Sequence, residues 1–200
     1  GDCLRARAAL EEATAMFEAL GDRSGAAWSA NSQGDIAREQ GDLPAACRLY
    51  ERALSMFRAC ADQWGIARSL TDLGYIRCEQ GEYDAAHTAY GEALEVFRSL
   101  GHRRGIARAI EGCACLAAAR GRAAVALKLA AAAAGVRTSI SAPLPQAEQR
   151  MLERHLSQAW QTLGEAQGRS AWEKGSTLSV DQAVRYSLEE GLPASSAARD

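Results

Sequence analysis

The sequence predicts an all-α protein, a superhelical solenoid of stacked helical hairpins with a helical C-terminal cap. Three observations predict it. Of the 200 residues, 43 are alanine and only 4 are proline; alanine is the strongest helix former, and the β-branched residues that favour strands are sparse. Residues 26–65 and 66–105 align without a gap and are identical at 15 of 40 positions, so a fixed period decides what each residue means. Within that period apolar residues recur at helical spacing. Together these argue against a sheet-based enzyme.

The elements follow in order. Residues 1–25 form a half unit, with Gly1-Asp2 in the phase of a turn and Leu10, Ala13, Phe17 and Leu20 as an apolar stripe that lacks its partner helix. Such a stripe calls for another chain, so edge-mediated self-association is expected. The units 26–65 and 66–105 each hold two helices. Their shared turn reads Glu39-Gln40-Gly41-Asp42 and then Glu79-Gln80-Gly81-Glu82, with Ala119-Arg120-Gly121-Arg122 as a weaker third copy. Glycine ends a helix in the left-handed conformation and the acid favours the next N-terminus; Gly25, Gly65 and Gly105 are read as the other turn. In the second helix, Ala46, Tyr50, Ala53, Leu54 and Phe57 make one stripe, repeated by Ala86, Tyr90, Ala93, Leu94 and Phe97. One hairpin cannot bury both faces, so copies stack.

A third unit over 106–145 is degenerate, with Ala114 in place of the repeated glycine and Ala130 in place of the tyrosine. Ala142-Pro143-Leu144-Pro145 breaks the period. The cap spans 146–190: a helix with the stripe Leu152, Leu156, Ala159, Trp160 and Leu163, a shorter one carrying Trp172, and a last helix to about Glu190 opened by a Ser179/Gln182 capping box. Residues 191–200 read as a polar tail or linker.

Leu73-Gly74, Gly81, Tyr83, Ala86, Tyr90 and Ala93-Leu94 resemble the tetratricopeptide repeat signature, in a long variant of 40 residues instead of 34 and without the terminal proline. The combination of long repeats, Ala142-Pro143-Leu144-Pro145, Ala171-Trp172-Glu173-Lys174-Gly175 and Leu178–Val184 is similar to the C-terminal portion of large bacterial signalling ATPases and LuxR-type transcriptional regulators. That resemblance implies a protein-interaction or signal-sensing scaffold inside a larger regulatory chain. The N-terminus Gly1-Asp2-Cys3-Leu4-Arg5, with no initiator Met and no signal-peptide core, reads as the edge of such a chain.

No catalytic chemistry is expected. Net charge is −2, which supplies no broad basic face for nucleic acid or an anionic membrane, and no apolar run reaches the roughly 20 residues of a membrane span. The cysteines at 3, 47, 60, 78, 113 and 115 form no CxxC pair, which suits reduced thiols in a cytoplasm. Cys113 and Cys115 lie about 200° apart on a helix, unsuited to one zinc, and read as buried inert thiols. His87, His102 and His155 are dispersed, and no phosphate-binding or nucleophile motif occurs. The cluster Arg98, His102, Arg103, Arg104 and Arg108 reads as a solvated turn. No cofactor, no metal site and no enzyme activity are therefore expected.

The informative surface is the concave face lined by the first helices. Tetratricopeptide geometry assigns to it Trp28, Asn31, Asp35 and Arg38 from the first full unit, Arg68, Thr71, Tyr75 and Glu79 from the second, and Arg108 and Glu111 from the third. Aromatic, arginine and amide side chains together suit a peptide or a neighbouring domain; solvated polar positions are the alternative. A different class of function, a small-molecule sensor, would place a pocket between the third unit and the cap beside Trp160 and Trp172.

Overall fold

The computed structural model describes residues 2–190; the 191–200 segment read as a tail lies outside the described residues. Among them are nine helices and no strand: α1 (Asp2–Leu20), α2 (Arg23–Glu39), α3 (Leu43–Ala59), α4 (Gln63–Glu79), α5 (Tyr83–Ser99), α6 (Arg103–Ala119), α7 (Ala123–Ser139), α8 (Gln146–Ser176) and α9 (Val180–Glu190). The architecture is a tetratricopeptide-like helical solenoid. Hairpins pair α2 with α3, α4 with α5 and α6 with α7, and α1 packs on α2.

Helices α2 to α7 are each 17 residues long, and a repeated turn explains why. Positive φ recurs at Gly21, Gly41, Ala61, Gly81, Gly101, Gly121 and Ser141, one residue in every twenty. The amide after each of them reaches back to close the turn, as in Asp42 N to Ala37 O at 2.9 Å and Glu82 N to Arg77 O at 2.8 Å. At α2, α3, α4 and α6 a side chain then caps the next helix: Asp22 accepts from Gly25 N, Asp42 from Ala45 N, Asp62 from Gly65 N, each at 2.9 Å, and His102 Nδ1 from Gly105 N at 3.0 Å; Glu82 and Arg122 make no such bond to α5 and α7.

Gly25, Gly65 and Gly105 therefore do not form the turns assigned to them from sequence. They sit inside the first turns of α2, α4 and α6, and their missing side chains admit a phenyl ring. A Cβ at Gly65 would lie 2.3 Å from Phe57, and those at Gly25 and Gly105 2.4 Å from Phe17 and Phe97. Gly34 and Gly74 receive the rings of Tyr50 and Tyr90 in the same way, and Tyr90 also presses on Gly112 of the next hairpin. Aromatic ring against bare backbone is the contact that joins successive helices.

The third hairpin keeps the regular geometry where its signature residues are lost. Along α7 the buried Ala126 and Ala133 repeat alanines of α3 and α5, while Ala130 stands where those helices carry a tyrosine, and α8 and α9 cover the far side of α7. Helix α8 bends at Gly164 (φ 70°, ψ 171°), which separates the stripe Leu152–Leu163 from the shorter segment carrying Trp172. Ser179 and Gln182 make the reciprocal capping box, Ser179 N to Gln182 Oε1 at 2.9 Å and Gln182 N to Ser179 Oγ at 3.3 Å.

At the other end the structure narrows the expected bare stripe. Phe17 covers Gly25, and Thr14 Oγ1 accepts a hydrogen bond from Gln33 Nε2 at 3.1 Å. Among the described residues of α1, the large apolar side chains left exposed are Met16, at 60%, and Leu20, at 80%.

The glycines separate into two kinds that one substitution distinguishes. Gly74→Ala, which drives a methyl into Tyr90, is expected to lower the unfolding free energy by about 1–3 kcal/mol. Gly91→Ala, whose Cβ would meet only Leu188 at 3.4 Å, removes a helix-interior glycine and is expected to raise it by about 0.5–1 kcal/mol. Urea denaturation of the two variants reads both signs.

Candidate functional site: the inner face and its C-terminal cavity

The first helices of the hairpins, α2, α4 and α6, lie side by side, and a chain of charge-assisted hydrogen bonds crosses them. Asp35 accepts from Tyr50 OH at 2.8 Å and from Arg68 Nη2 at 3.0 Å. Arg68 Nε donates to Asp72 at 2.7 Å, Arg108 Nη2 donates to the other oxygen of Asp72 at 2.7 Å, and Asn31 Nδ2 adds a bond at 3.2 Å. Ser69 Oγ orients the Asn31 amide at 2.7 Å. Asp72, buried to 1% exposure, thus ties three consecutive units together. Further along, Arg137 grips Glu111 through both Nε and Nη2, the latter at 2.8 Å, and both partners are buried.

The two carboxyls of the chain titrate in opposite directions. Burial pushes Asp72 up, but the guanidiniums of Arg108 and Arg68 outweigh it and hold the carboxyl below its ordinary value. Burial, reinforced by the Asp72 charge, raises Asp35. Glu111 is likewise raised by burial despite Arg137. Burial also lifts the thiols, Cys78 to about 11 and Cys113 to about 12, so they stay protonated and unreactive near neutrality. Among the described residues, no group of three or more His, Cys, Asp or Glu is placed to hold a metal ion.

The residues assigned to the groove from sequence divide into three sets. Trp28, Asp35, Arg38, Arg68 and Arg108 are half-buried and Glu79 is exposed; Trp28 packs at a tilt against both Phe57 (4.7 Å) and Trp64 (4.5 Å). Asn31, Tyr75 and Glu111 are buried, Asn31 and Glu111 within the polar chain and Tyr75 donating to Arg108 O at 3.4 Å. Thr71 is fully buried and returns its hydroxyl to Ala67 O at 2.8 Å. Of the basic cluster, Arg108 is drawn to Asp72, while Arg98, Arg103 and Arg104 are exposed.

Sequence reasoning missed Asp72 and Arg137. Asp72 stands one residue beyond Thr71, the position the period selected, yet its i,i+4 spacing from Arg68 was the available signal. Nothing local marked the role of the 144–152 segment. Leu144, Glu148, Met151 and Leu152 share a small crevice with Arg38, Tyr75, Arg108, Glu111 and Cys115, so the start of α8 roofs the inner face at its C-terminal end.

Beyond that roof opens a cavity of about 640 Å³ between α6, α7 and α8. Ala130 and Ala134 of α7, Leu152 and Leu156 of α8 and the indoles of Trp160 and Trp172, 6.1 Å apart, form its walls, with the Glu111–Arg137 pair also lining it.

Asp72→Asn is expected to cost roughly 2–4 kcal/mol at pH 7, because two guanidiniums lose a charged partner in a buried setting. A carboxyl whose folded pKa lies below its unfolded value stabilises fully above about pH 4 and less as pH falls through the folded value. The stability gap between wild type and Asp72→Asn should close as pH falls below about 4, after any change at higher pH from Asp35, which the Asp72 charge raises. Urea titrations from neutral pH downward measure it, and a gap that does not close below that point contradicts the assignment.

Comparison with known proteins agrees with this geometry at the level of the repeat. No curated protein matches the chain. The family model for the tetratricopeptide repeat matches residues 1–59, the stretch that holds α1, α2 and α3, and this match supports a tetratricopeptide repeat domain.

Proposed function

We propose that the chain is a protein-interaction scaffold whose first helices present a docking face for a peptide or a neighbouring domain. Tetratricopeptide repeats generally mediate protein–protein contacts, and the fold is typically a non-enzymatic scaffold. The observation that carries the reading is the accessible part of the inner face: Trp28, Asp35, Arg68 and Glu79 lie outside the crevice roofed by the start of α8, and Arg38 borders it. Half-buried rings and guanidiniums that are already oriented lose little entropy on binding. We take residues 1–145 as repeats and 146–190 as cap, within a larger bacterial regulatory protein of the cytoplasm; the resemblance of the repeat-plus-cap order to such regulators supports this. No helix among the described residues is long and apolar enough to cross a membrane.

A second docking surface is the α1 edge. Met16 and Leu20 occupy the repeat positions of Met56 and Cys60, which are half-buried against the core. On α1 the same positions stay in solvent, so we propose that this edge takes a second copy of the chain.

A specific observation favours the small-molecule alternative as well: the 640 Å³ cavity stands between the third hairpin and the cap, beside Trp160 and Trp172. Its dimensions fall within the roughly 300–1,000 Å³ of ligand pockets.

Photocrosslinking from position 79 tests the groove, with Trp28→Ala as the variant that should lose the crosslinked partner and Arg169→Glu, on an exposed part of α8, as the one that should keep it. Equal recovery from both removes the groove from the reading. For the edge, sedimentation velocity should show wild type associating as concentration rises and Met16→Glu/Leu20→Glu remaining monomeric; a wild type that stays monomeric throughout refutes the edge.

A further inference from the structure

The cavity has an origin in the repeat register. Forty residues separate Tyr50, Tyr90 and Ala130, and the same step relates Leu54, Leu94 and Ala134. In the first two hairpins the tyrosine and leucine are buried between neighbouring helices, Tyr50 and Tyr90 at 0% exposure and Leu54 and Leu94 at 8% and 0%. Tyr90 reaches both Gly74 of its own hairpin and Gly112 of the next. The third hairpin places two methyl groups where that ring and that isobutyl group belong, and α8 stands where the next first helix would have met them. The space left open is about 640 Å³, on the order of twenty water volumes. It opens to solvent, as an apolar-walled cleft between helices and not a closed interior void.

The walls state what would fill it. Ala130, Ala134, Leu152, Leu156, Trp160 and Trp172 offer apolar surface. The buried charges at the cavity, Glu111 and Arg137, are closed on each other by two parallel hydrogen bonds, and Arg137 Nη1 also donates to Ala142 O at 3.4 Å. Neither asks for a counter-ion from a ligand. An anion would meet Glu111 and Glu153 with the Arg137 guanidinium already paired, and a cation would meet Arg137, with Glu153, exposed and already accepting from Gln149 Nε2 at 2.9 Å, as the lining acid outside that pair. Thr138 and Ser141 add hydroxyls to the lining; Thr138 donates to Ala134 O at 2.9 Å and can still accept.

We propose that this cavity is a binding site for a neutral, largely apolar small molecule, seated between the indoles and the alanine wall with any hydroxyl or amide directed to Thr138 and Ser141. The proposal rests on the small-molecule reading above and adds the chemical class of the ligand.

Two fluorescent probes with one ring skeleton test it: neutral N-phenyl-1-naphthylamine and its sulfonated analogue 8-anilino-1-naphthalenesulfonate. Each is titrated into the whole chain, with a neutral polar disaccharide as a third ligand followed by thermal shift. The filling variant is Ala130→Tyr/Ala134→Leu, which restores residues that the fold holds in two other hairpins; Ala134→Leu alone is the milder version, and circular dichroism reports whether each folds. The expected result is saturable binding of the neutral probe, at least about tenfold tighter than the sulfonate, and weakened about tenfold or more by the filling variants. Neutral-probe binding that does not saturate, or that survives filling, overturns the proposal. Should the sulfonate or the disaccharide bind in a manner that filling abolishes while the neutral probe does not, the chemical class is wrong and the pocket reading stands. If no ligand shows binding that filling abolishes, both fall.

Discussion

One left-handed residue in every twenty sets the dimensions of this molecule. Because the helices between these residues share a length of 17, each phenylalanine near a helix end meets the third residue of the helix that follows, and only glycine leaves room for the ring. Two of the seven positions are not glycine: Ala61 and Ser141 hold φ of 57° and 51°, a conformation that costs a side-chain-bearing residue on the order of 1 kcal/mol. That the turn persists there shows the packing of helix on helix outweighing a local preference.

Where the period dictates structure, the sequence was a sufficient guide. The paired helices α2 to α7, the inward stripes of α3 and α5, the capping box of α9 and the break at Ala142–Pro145 all depend on residues within a few turns of one another; the separate short helix expected around Trp172 is instead the continuation of α8 past its bend at Gly164. The reading of Gly25, Gly65 and Gly105 as turns went astray because glycine has two uses, a backbone angle and a close approach, and a lone sequence does not say which. Phe57 lying eight residues before Gly65, as Phe97 lies before Gly105, was the discriminating pattern.

The inner face was harder to read, for a physical reason. Its side chains were selected by position on one helix, whereas their accessibility is decided by other helices. Thr71 turns back on its own helix, Asn31 and Glu111 are consumed by partners 26 to 41 residues away, and Tyr75 lies beside the roof formed by Leu144 and Met151. Asp72 escaped notice although it bonds to Arg68 four residues before it, because its significance comes from Arg108 a full unit later. A pocket beside Trp160 and Trp172 was one alternative that the sequence offered, and the repeat register accounts for the space there: Ala130 and Ala134 stand where the earlier hairpins carry tyrosine and leucine.

The bonds between neighbouring hairpins are unequal along the stack. Asp72 binds arginines from its own and the following unit, and Tyr90 shares its ring between α4 and α6, whereas among the described contacts of α1 with the first hairpin are Phe17 on Gly25, the Gln33–Thr14 hydrogen bond and the exposed Glu18–Arg52 ion pair. In a nearly one-dimensional array, cooperativity is the sum of such nearest-neighbour couplings. The centre and the capped end consequently open as one block, and fraying begins at α1, giving the molecule a built-in gradient of hydrogen-exchange protection that rises from its first helix inward.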